Sequence, residues 1–436
     1  MTVTASSAAP ADSDIQQLLA RRRQHMGSQL YMFYDPPVHL MRSEGVWLYD
    51  AKRRVYLDAY NNVPHVGHCH PQVVEAIARQ AARLNTNTRY LYDEVLDYAE
   101  RLTATLPAGL DVAAFVNSGS EAVDLAWRMA KAHTGQGGAI VMEEAYHGWT
   151  DAVDALSPAG KSTLAPHVRM LMAPDSYRGP HRPDVADRAA RYAADADRAI
   201  ESLSTTGQRP AAFIVDPGFC TNGILEPLPG YLSQVFDKMR AAGAVCIADE
   251  VQTGFGRVGS QMWGFGLHGA TPDIVTLGKP VANGHPLGVV VTRREIMDSF
   301  MSRTSFFSTF GGNNVACAAG MAVLDVLERE QLQANAQRVG EHLKTGLRAL
   351  QRKHDLIGDV RGMGLVIGVE LVTDRKALTP ATKETKRVLN LMRDHGVLVG
   401  YEGRYVNIVK VRPPMPFKIE HADQTVDAMD KALRAL

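Results

Sequence analysis

Short apolar runs alternate with amphipathic stretches through the middle of the chain. The runs, which lie between residues 113 and 292, are AAFVNSG, AIVME, AAFIVDP, GAVCIADE, DIVTLGK and GVVVT. Stretches with helical spacing, such as SEAVDLAWRMAKAH, lie between them. Because apolar strands that alternate with helices pack into a sheet covered on both faces, the pattern predicts an α/β domain with a largely parallel sheet.

The two ends of the chain show a different pattern. DSDIQQLLARRRQHM predicts a helix capped by Asp or Ser, and GVWLYD and VYLDAY predict a small antiparallel sheet. From about residue 325 the pattern predicts one long helix, then the strand GLVIGVEL, the helix TKETKRVLNLMRDHG and a final helix. We expect a tail and helix at 1–28, a large domain at 76–325, and one small α+β domain built from 29–75 and 326–436.

Composition narrows the class of partner. Lys+Arg and Asp+Glu both number 47, so no net field draws the protein to nucleic acid or to an anionic membrane. Small molecules and copies of the chain itself are the expected partners. The 4 cysteines form no C-x-x-C pair, and no signal peptide or membrane span is evident, which favours a cytoplasmic protein whose first dozen or so residues are disordered.

The segment YNNVPHVGHCHP brings His65, His68, Cys69 and His70 close together in sequence. Imidazole and thiolate groups are the ligands that zinc prefers, so a metal site is one interpretation of this segment. A loop without metal is the alternative.

Three of the apolar runs end in chemically unusual residues. Asp249 ends GAVCIADE, Lys279 ends DIVTLGK, and Gly119 and Ser120 follow AAFVNS at the start of a predicted helix. In open α/β sheets ligands bind beyond the carboxyl ends of the strands. The helix start can hold a phosphate, although an ordinary serine cap is the plainer interpretation, and burial would make the Lys279 amine nucleophilic.

Pyridoxal phosphate combines the features that these residues would bind. It has a phosphate, a ring nitrogen that an acid can hold protonated, and an aldehyde that a lysine can attack. Tyr146, in a loop after another strand, supplies a ring that can stack on the cofactor. The competing motif GFGRVG, at residues 254–259, has the spacing of a dinucleotide site, but the sequence after it predicts a loop instead of the required helix.

The motifs around these residues resemble those of the class III aminotransferases, pyridoxal-phosphate enzymes of fold type I. They are VNSGSEAVDLA, AYHGW, IADEVQTGFGRVG, PDIVTLGKPVANGHPLG and FSTFGGNNVACAAG, in that order. The resemblance implies a seven-stranded, mostly parallel sheet and a homodimer, or dimer of dimers, with active sites at the interface. It implies that Lys279 forms the Schiff base, that Asp249 pairs with the ring nitrogen, and that the cofactor is also bound by Gly119, Ser120, Tyr146, His147, Val251, Gln252 and the partner-facing Thr309.

Two positions depart from the family pattern. Where relatives that handle α-amino acids carry an arginine before a PP motif, this chain has Lys410, with Arg412 two residues later. A lysine lacks the planar fork that binds a carboxylate in two places. Asp216 likewise replaces a longer acid. Ordinary amino-acid recognition is therefore not expected.

Four segments resemble the ethanolamine-phosphate phospho-lyase branch of the family more closely: YNNVPHVGHCHP, LNTNTRYLYDE, TLGKPVANGHP and VKVRPPM. The resemblance implies elimination of phosphate from O-phosphoethanolamine or a related phosphorylated amine, giving an aldehyde and ammonia. An ω-aminotransferase of the alanine-glyoxylate type is the alternative. Arg89, Asn62, Lys410 and Arg412 are the predicted substrate-binding residues, and the family's GHxHP loop favours no metal at the histidine cluster.

Overall fold

The computed structural model describes residues 15–27 and 31–436. The strands are β1 (Leu40–Glu44), β2 (Trp47–Asp50), β3 (Val55–Asp58), β4 (Val112–Val116), β5 (Gly138–Met142), β6 (Val168–Leu171), β7 (Pro210–Val215), β8 (Val245–Asp249), β9 (Ile274–Leu277), β10 (Gly288–Thr292), β11 (Ile357–Met363), β12 (Val366–Asp374), β13 (Thr379–Pro380), β14 (Val397–Leu398), β15 (Gly400–Glu402) and β16 (Ile408–Val411).

The helices connect these strands and cover the sheets. They are α1 (Ile15–Met26), α2 (Pro71–Arg83), α3 (Asp93–Thr103), α4 (Gly119–Thr134), α5 (Asp151–Ala155), α6 (Arg188–Ala193), α7 (Asp195–Ser204), α8 (Tyr231–Ala241), α9 (Arg294–Met301), α10 (Asn314–Arg329), α11 (Leu332–Lys353), α12 (Thr382–Asp394) and α13 (Ile419–Arg434). Two short 3₁₀ helices span Gly264–His268 and Lys279–Ala282.

The central sheet has seven strands in the order β4-β10-β9-β8-β7-β5-β6. Only β10 runs antiparallel to its neighbours in this sheet. Successive residues of β5 face opposite sides: Val141 joins the core beneath α4, and Ile140 joins the core beneath α7 and α8. Apolar residues on both faces explain why the sequence reads as continuous apolar runs, and they confirm the predicted fold class.

Two smaller sheets complete the fold. The N-terminal strands form a sheet in the order β1-β2-β3-β14, in which β14, from far along the chain, pairs in parallel with β3. The C-terminal sheet has the order β11-β12-β16-β15, with β13 paired to β12. The N-terminal strands therefore share one sheet with a strand from the C-terminal region.

One prediction about the C-terminal region is wrong. The sequence from about residue 325 reads as one long helix, but the chain forms α10 and α11, separated at Glu330 and Gln331. Gln331 has a φ of 50°, and a residue in the left-handed region cannot continue an α-helix. The sequence pattern also fails to predict strand β6. This strand lies at the edge of the sheet, where Arg169 and Met170 are partly exposed, so it contains no continuous apolar run.

The predicted domain boundaries stay a proposal. The limits at 75/76 and 325/326 fall inside α2 and α10. The predicted cap of α1 and the predicted disordered tail lie outside the described residues. Among the helices that the structure describes, none is long and apolar enough to cross a membrane.

Candidate active site

One cavity lies at the carboxyl edge of the central sheet. Its lining side chains follow β5, β7, β8 and β9 or open helix α4, and they are Gly119, Ser120, Tyr146, His147, Gly148, Asp216, Asp249, Val251, Gln252 and Lys279. Because the carboxyl ends of parallel strands share one edge, residues far apart in sequence meet there. The structure therefore brings together eight of the predicted cofactor-binding residues, all except Thr309.

The start of α4 forms a narrow cradle. The Ser118 side chain caps the helix by accepting from the Glu121 N–H at 3.2 Å. A Cβ added at Gly119 would lie 3.0 Å from Cγ2 of Val251, and one added at Gly148 would lie 2.6 Å from Oγ of Ser120. Glycine is therefore needed at position 148, where φ is also 150°, and a side chain at position 119 would require Val251 to shift. The first N–H groups of a helix have no intrahelical partner and attract anions, so the cradle suits a phosphate.

Asp249 is held by His147, which the family resemblance predicts as a cofactor-binding residue. Nδ1 of His147 lies 2.7 Å from Oδ2 of Asp249, and both residues are buried. The second ring nitrogen of His147, Nε2, is buried without a hydrogen-bond partner in the described structure. The hydrogen bond fixes the direction of the Asp249 carboxylate, which Val251 supports by donating its N–H to Oδ1 at 3.2 Å.

The Lys279 side chain is exposed to the cavity that it lines and is otherwise surrounded by protein. Burial by the surrounding protein and the positive charge of Arg412 lower the pKa of Lys279 to about 8. Roughly a tenth of the amine is therefore unprotonated at pH 7, far more than for an ordinary lysine, in the direction the sequence predicts for a nucleophile.

Asp216 is a cavity residue that sequence reasoning noted only as a departure from the family. Burial raises its pKa, and so does the nearby charge of Asp249. Its two carboxylate oxygens accept N–H groups from Gly218 at 2.9 Å and from Cys220 at 3.0 Å. Asp216 is thereby anchored to the loop that follows β7.

A pair of cations approaches the cavity from the C-terminal sheet. Lys410 donates to Oε1 of Gln252 at 3.1 Å, and Arg412 donates to the same oxygen. Lys410 also forms an ion pair with Glu402. Arg412 lies over the Tyr60 ring, 5.4 Å from its centroid, and its Nε is buried without a partner in the described structure. Both cations are almost fully buried.

A third buried cation, Arg257, contacts the residue that follows Arg412. Arg257, within the GFGRVG segment, is fully buried and donates to the carbonyl of Pro413, next to Arg412. Its other described acceptors are neutral: the Leu365 carbonyl and Nδ1 of His65. Burial and the charge of Arg412 lower the pKa of Arg257 to about 9. No α-helix follows GFGRVG directly, so the segment has a structural role here instead of forming a dinucleotide site.

Five predicted site residues do not line the cavity, and two of them, Lys410 and Arg412, contact it through Gln252. Thr309 is exposed, and Arg89 is exposed with its guanidinium 4.0 Å from the centroid of the Phe307 ring. Asn62 is buried outside the cavity lining. Their predicted roles stay predictions.

The histidine cluster divides among separate partners. Nε2 of His65 lies 2.8 Å from the Phe255 carbonyl, and Nε2 of His68 lies 2.6 Å from Oδ2 of Asp58. Nε2 of His70 lies 3.2 Å from Oε1 of Glu330. Within the described ranges, 15–27 and 31–436, no group of three or more His, Cys, Asp or Glu side chains has the arrangement of a metal site.

The cavity fits pyridoxal phosphate. The α4 cradle suits its phosphate, the His147-supported Asp249 carboxylate suits its ring nitrogen, and the Lys279 amine suits its aldehyde. The fold and the site together define a pyridoxal-phosphate enzyme of fold type I.

Comparisons with known proteins assign the family. The model of the family "Aminotransferase class-III" matches residues 33–433, and the chain belongs to this family. It is 42% identical over 427 residues to an alanine–glyoxylate aminotransferase 2-like protein of Drosophila melanogaster, covering 95% of this chain and 86% of the relative. It is 39% identical over 453 residues to ethanolamine-phosphate phospho-lyase homolog 1 of Caenorhabditis elegans, covering 99% of this chain and 96% of the relative.

A solved structure is similar over nearly the whole chain. It is a phospholyase from Arthrobacter in complex with phosphoethanolamine, with a TM-score of 0.93 and 42% sequence identity. The match covers 96% of this chain and 100% of that one. The names of these relatives thus divide between aminotransferase and lyase.

Proposed function

We propose that this enzyme is a phospho-lyase that eliminates inorganic phosphate from O-phosphoethanolamine or a related phosphorylated amine, giving an aldehyde and ammonia. The observation that carries the proposal is the convergence of Lys410 and Arg412 on Gln252, a residue of the cofactor cavity. The phosphoethanolamine named for the Arthrobacter relative supports the same substrate.

The charges around Lys410 and Arg412 favour binding of a phosphate. Lys410, Arg412 and Arg257 are buried cations, and Glu402 is the carboxylate paired with Lys410. Within hydrogen-bonding range of Arg412, the described contacts are to uncharged groups. A cation surplus in a region of low dielectric attracts a dianion more strongly than a carboxylate, which carries half the charge.

The residues of the chain then have distinct tasks. Pyridoxal phosphate, when bound, supplies an electron sink for the carbon beside the substrate amine. Lys279 removes the proton from that carbon, and Asp249 keeps the ring nitrogen protonated. Tyr146 covers one face of the ring. With a phosphate on the neighbouring carbon, loss of that group competes with return of the proton, and no keto acid is required.

We also propose a homodimer in the cytoplasm. Arg89 and Thr309 are exposed in the single chain, and so are large apolar side chains adjacent to them in sequence: Tyr90, Leu91, Phe307 and Phe310. The Arg89 guanidinium lies 4.0 Å from the centroid of the Phe307 ring, so the two segments meet, and exposed apolar side chains brought together favour an interface. Arg89 and Thr309 would then complete the partner's active site, and sedimentation of the purified protein tests the assembly.

Incubation with phosphoethanolamine alone tests the reaction. Phosphate release without a keto acid supports the lyase. Turnover that requires pyruvate or glyoxylate, with phosphate retained on the substrate, would instead establish the aminotransferase activity named for the Drosophila relative. Comparing kcat/KM for phosphoethanolamine and 5-phosphohydroxylysine then identifies the preferred amine.

A further inference from the structure

Lys410 and Arg412 differ in one property that matters for a departing phosphate. Both are buried, and both donate to the same oxygen of Gln252. A guanidinium keeps its proton throughout the pH range in which proteins work, whereas a lysine ammonium can give one up. Of the two cations, only Lys410 can therefore act as an acid as well as a positive charge.

The proposed elimination needs such an acid. A phosphate monoester is mostly a dianion near neutral pH, because its second pKa is about 6. When the carbon–oxygen bond breaks, its electron pair goes to the oxygen, and without a proton the product would be the strongly basic trianion. One proton delivered to the departing oxygen gives hydrogen phosphate instead.

We infer that Lys410 is the general acid that protonates the departing phosphate. Lys279 takes the proton from the carbon beside the amine, and the electrons of that bond form the new carbon–carbon double bond. The carbon–oxygen bond breaks toward oxygen, and the Lys410 ammonium gives that oxygen a proton. The products of the step are hydrogen phosphate and a neutral Lys410 amine. This inference rests on the proposed function.

Glu402 supplies the route by which Lys410 regains its proton. Its carboxylate pairs with Lys410, whose side chain is 1% exposed, while its own side chain is 25% exposed. Glu402 therefore links a buried ammonium to solvent. In this reaction Glu402 is a positioning residue, since the ion pair also keeps the ammonium directed at Gln252 and the cavity.

The other titratable groups near Lys410 are poorly suited to the task. Lys279 is already committed as the base. Asp216 accepts two backbone N–H groups, which hold it as an acceptor. Cys220 is fully buried, and burial raises the pKa of its thiol. A guanidinium is not a proton donor in the pH range in which proteins work, so the task of Arg412 is to hold the phosphate.

The test is Lys410→Arg with two substrates that differ in the leaving group. In phosphoethanolamine the leaving group needs a proton, whereas in 2-aminoethyl hydrogen sulfate it departs as sulfate, a weak base. General acid catalysis contributes about 10²- to 10⁴-fold. We therefore expect kcat for phosphate release to fall at least about 100-fold, and kcat for sulfate release to fall by less than about tenfold.

Two further measurements separate acid catalysis from binding and folding. The affinity for inorganic phosphate, measured by calorimetry, should change by less than about fivefold because the charge is kept. Exchange of the proton beside the amine of ethanolamine in D₂O should continue, since that step needs no leaving group. Lys353→Arg is the control for the substitution itself, because Lys353 forms an ion pair with Asp430 and does not line the cavity.

Two results would overturn the inference. One is a Lys410→Arg enzyme that releases phosphate at nearly the wild-type rate. The other is an equal loss with both esters, or loss of proton exchange, since either would show damage common to all steps. Failure of the wild-type enzyme to release phosphate from phosphoethanolamine would instead refute the proposed function.

Discussion

The residues that line the cavity, called the cofactor side, and the cations that contact it through Gln252, called the cation side, come from different sheets and differ in their balance of charge. The cofactor side, defined by Gly119, Ser120, His147, Asp249 and Lys279, is built on the central sheet, and its acid has a buried partner at 2.7 Å. The cation side, defined by Glu402, Lys410 and Arg412, belongs to or directly follows the C-terminal sheet. There the positive charge exceeds the negative.

The cofactor side has a task common to all enzymes that use this cofactor, whereas the cation side has a task particular to this enzyme. The groups that hold the cofactor lie at strand ends and at a helix start, all of which belong to the central sheet or its connections. The hairpin of β15 and β16 belongs to another sheet, and Lys410 within it contacts the cofactor side through Gln252. Because the two tasks differ, substitutions on the two sides should affect different measured quantities.

The largest expected effect comes from the cofactor side. Lys279→Ala removes the base and should lower kcat by about 10⁴-fold or more. Circular dichroism and the melting temperature should stay close to those of the wild type, because the side chain lines a cavity and not the core. Full activity in this variant would refute the assigned role of Lys279.

Arg412→Met tests the cation side. Loss of charge-assisted hydrogen bonds should raise KM for phosphoethanolamine roughly 10- to 100-fold. The dissociation constant for pyridoxal phosphate, measured by titrating the cofactor-free protein, should stay within about threefold of the wild type. A large loss of cofactor affinity would show that the two sides are not separate.

His147→Ala should give the opposite pattern. Asp249 loses its hydrogen-bonded partner, and an interaction of about 1.5 kcal/mol corresponds to about tenfold weaker cofactor binding. KM for phosphoethanolamine, measured with saturating cofactor, should change little. Unaltered cofactor affinity would mean that the His147–Asp249 contact contributes nothing to the site.

The smallest effect links the two sides through Lys279. In the cofactor-free protein, acylation of the Lys279 amine should rise with pH and reach its midpoint near pH 8. The positive charge of Arg412 disfavours the ammonium form, so Arg412→Met should raise the pKa and move the midpoint to higher pH. Peptide mapping of the labelled lysine measures this, and a midpoint that moves lower would contradict the argument.

Sequence patterns predicted the cofactor side well because each of its main residues follows an apolar strand or opens a helix. Asp249 and Lys279 are examples, and parallel topology alone brings them together. The cation side was only partly predictable. Lys410 and Arg412 stood out as departures, but nothing in the sequence shows that they share Gln252, which lies 158 and 160 residues away.

The YNNVPHVGHCHP segment shows the same limit. Three histidines close in sequence suggest one site, yet His65, His68 and His70 each turn to a different partner. His68 pairs with Asp58 at the end of β3, and His65 contacts the buried Arg257. Proximity along the chain does not determine where side chains point when the backbone turns, and Cys69 has a φ of 50° within this segment.

The Gln252 side chain has a consequence for the steps after chemistry. Its amide oxygen occupies the meeting point of Lys410 and Arg412, so a phosphate bound there as proposed would displace it. In the proposed reaction the product would leave the same two cations, and return of the amide would help to expel it. The lifetime of bound product, and with it the slowdown of the enzyme as phosphate accumulates in its surroundings, would then depend on this one uncharged side chain.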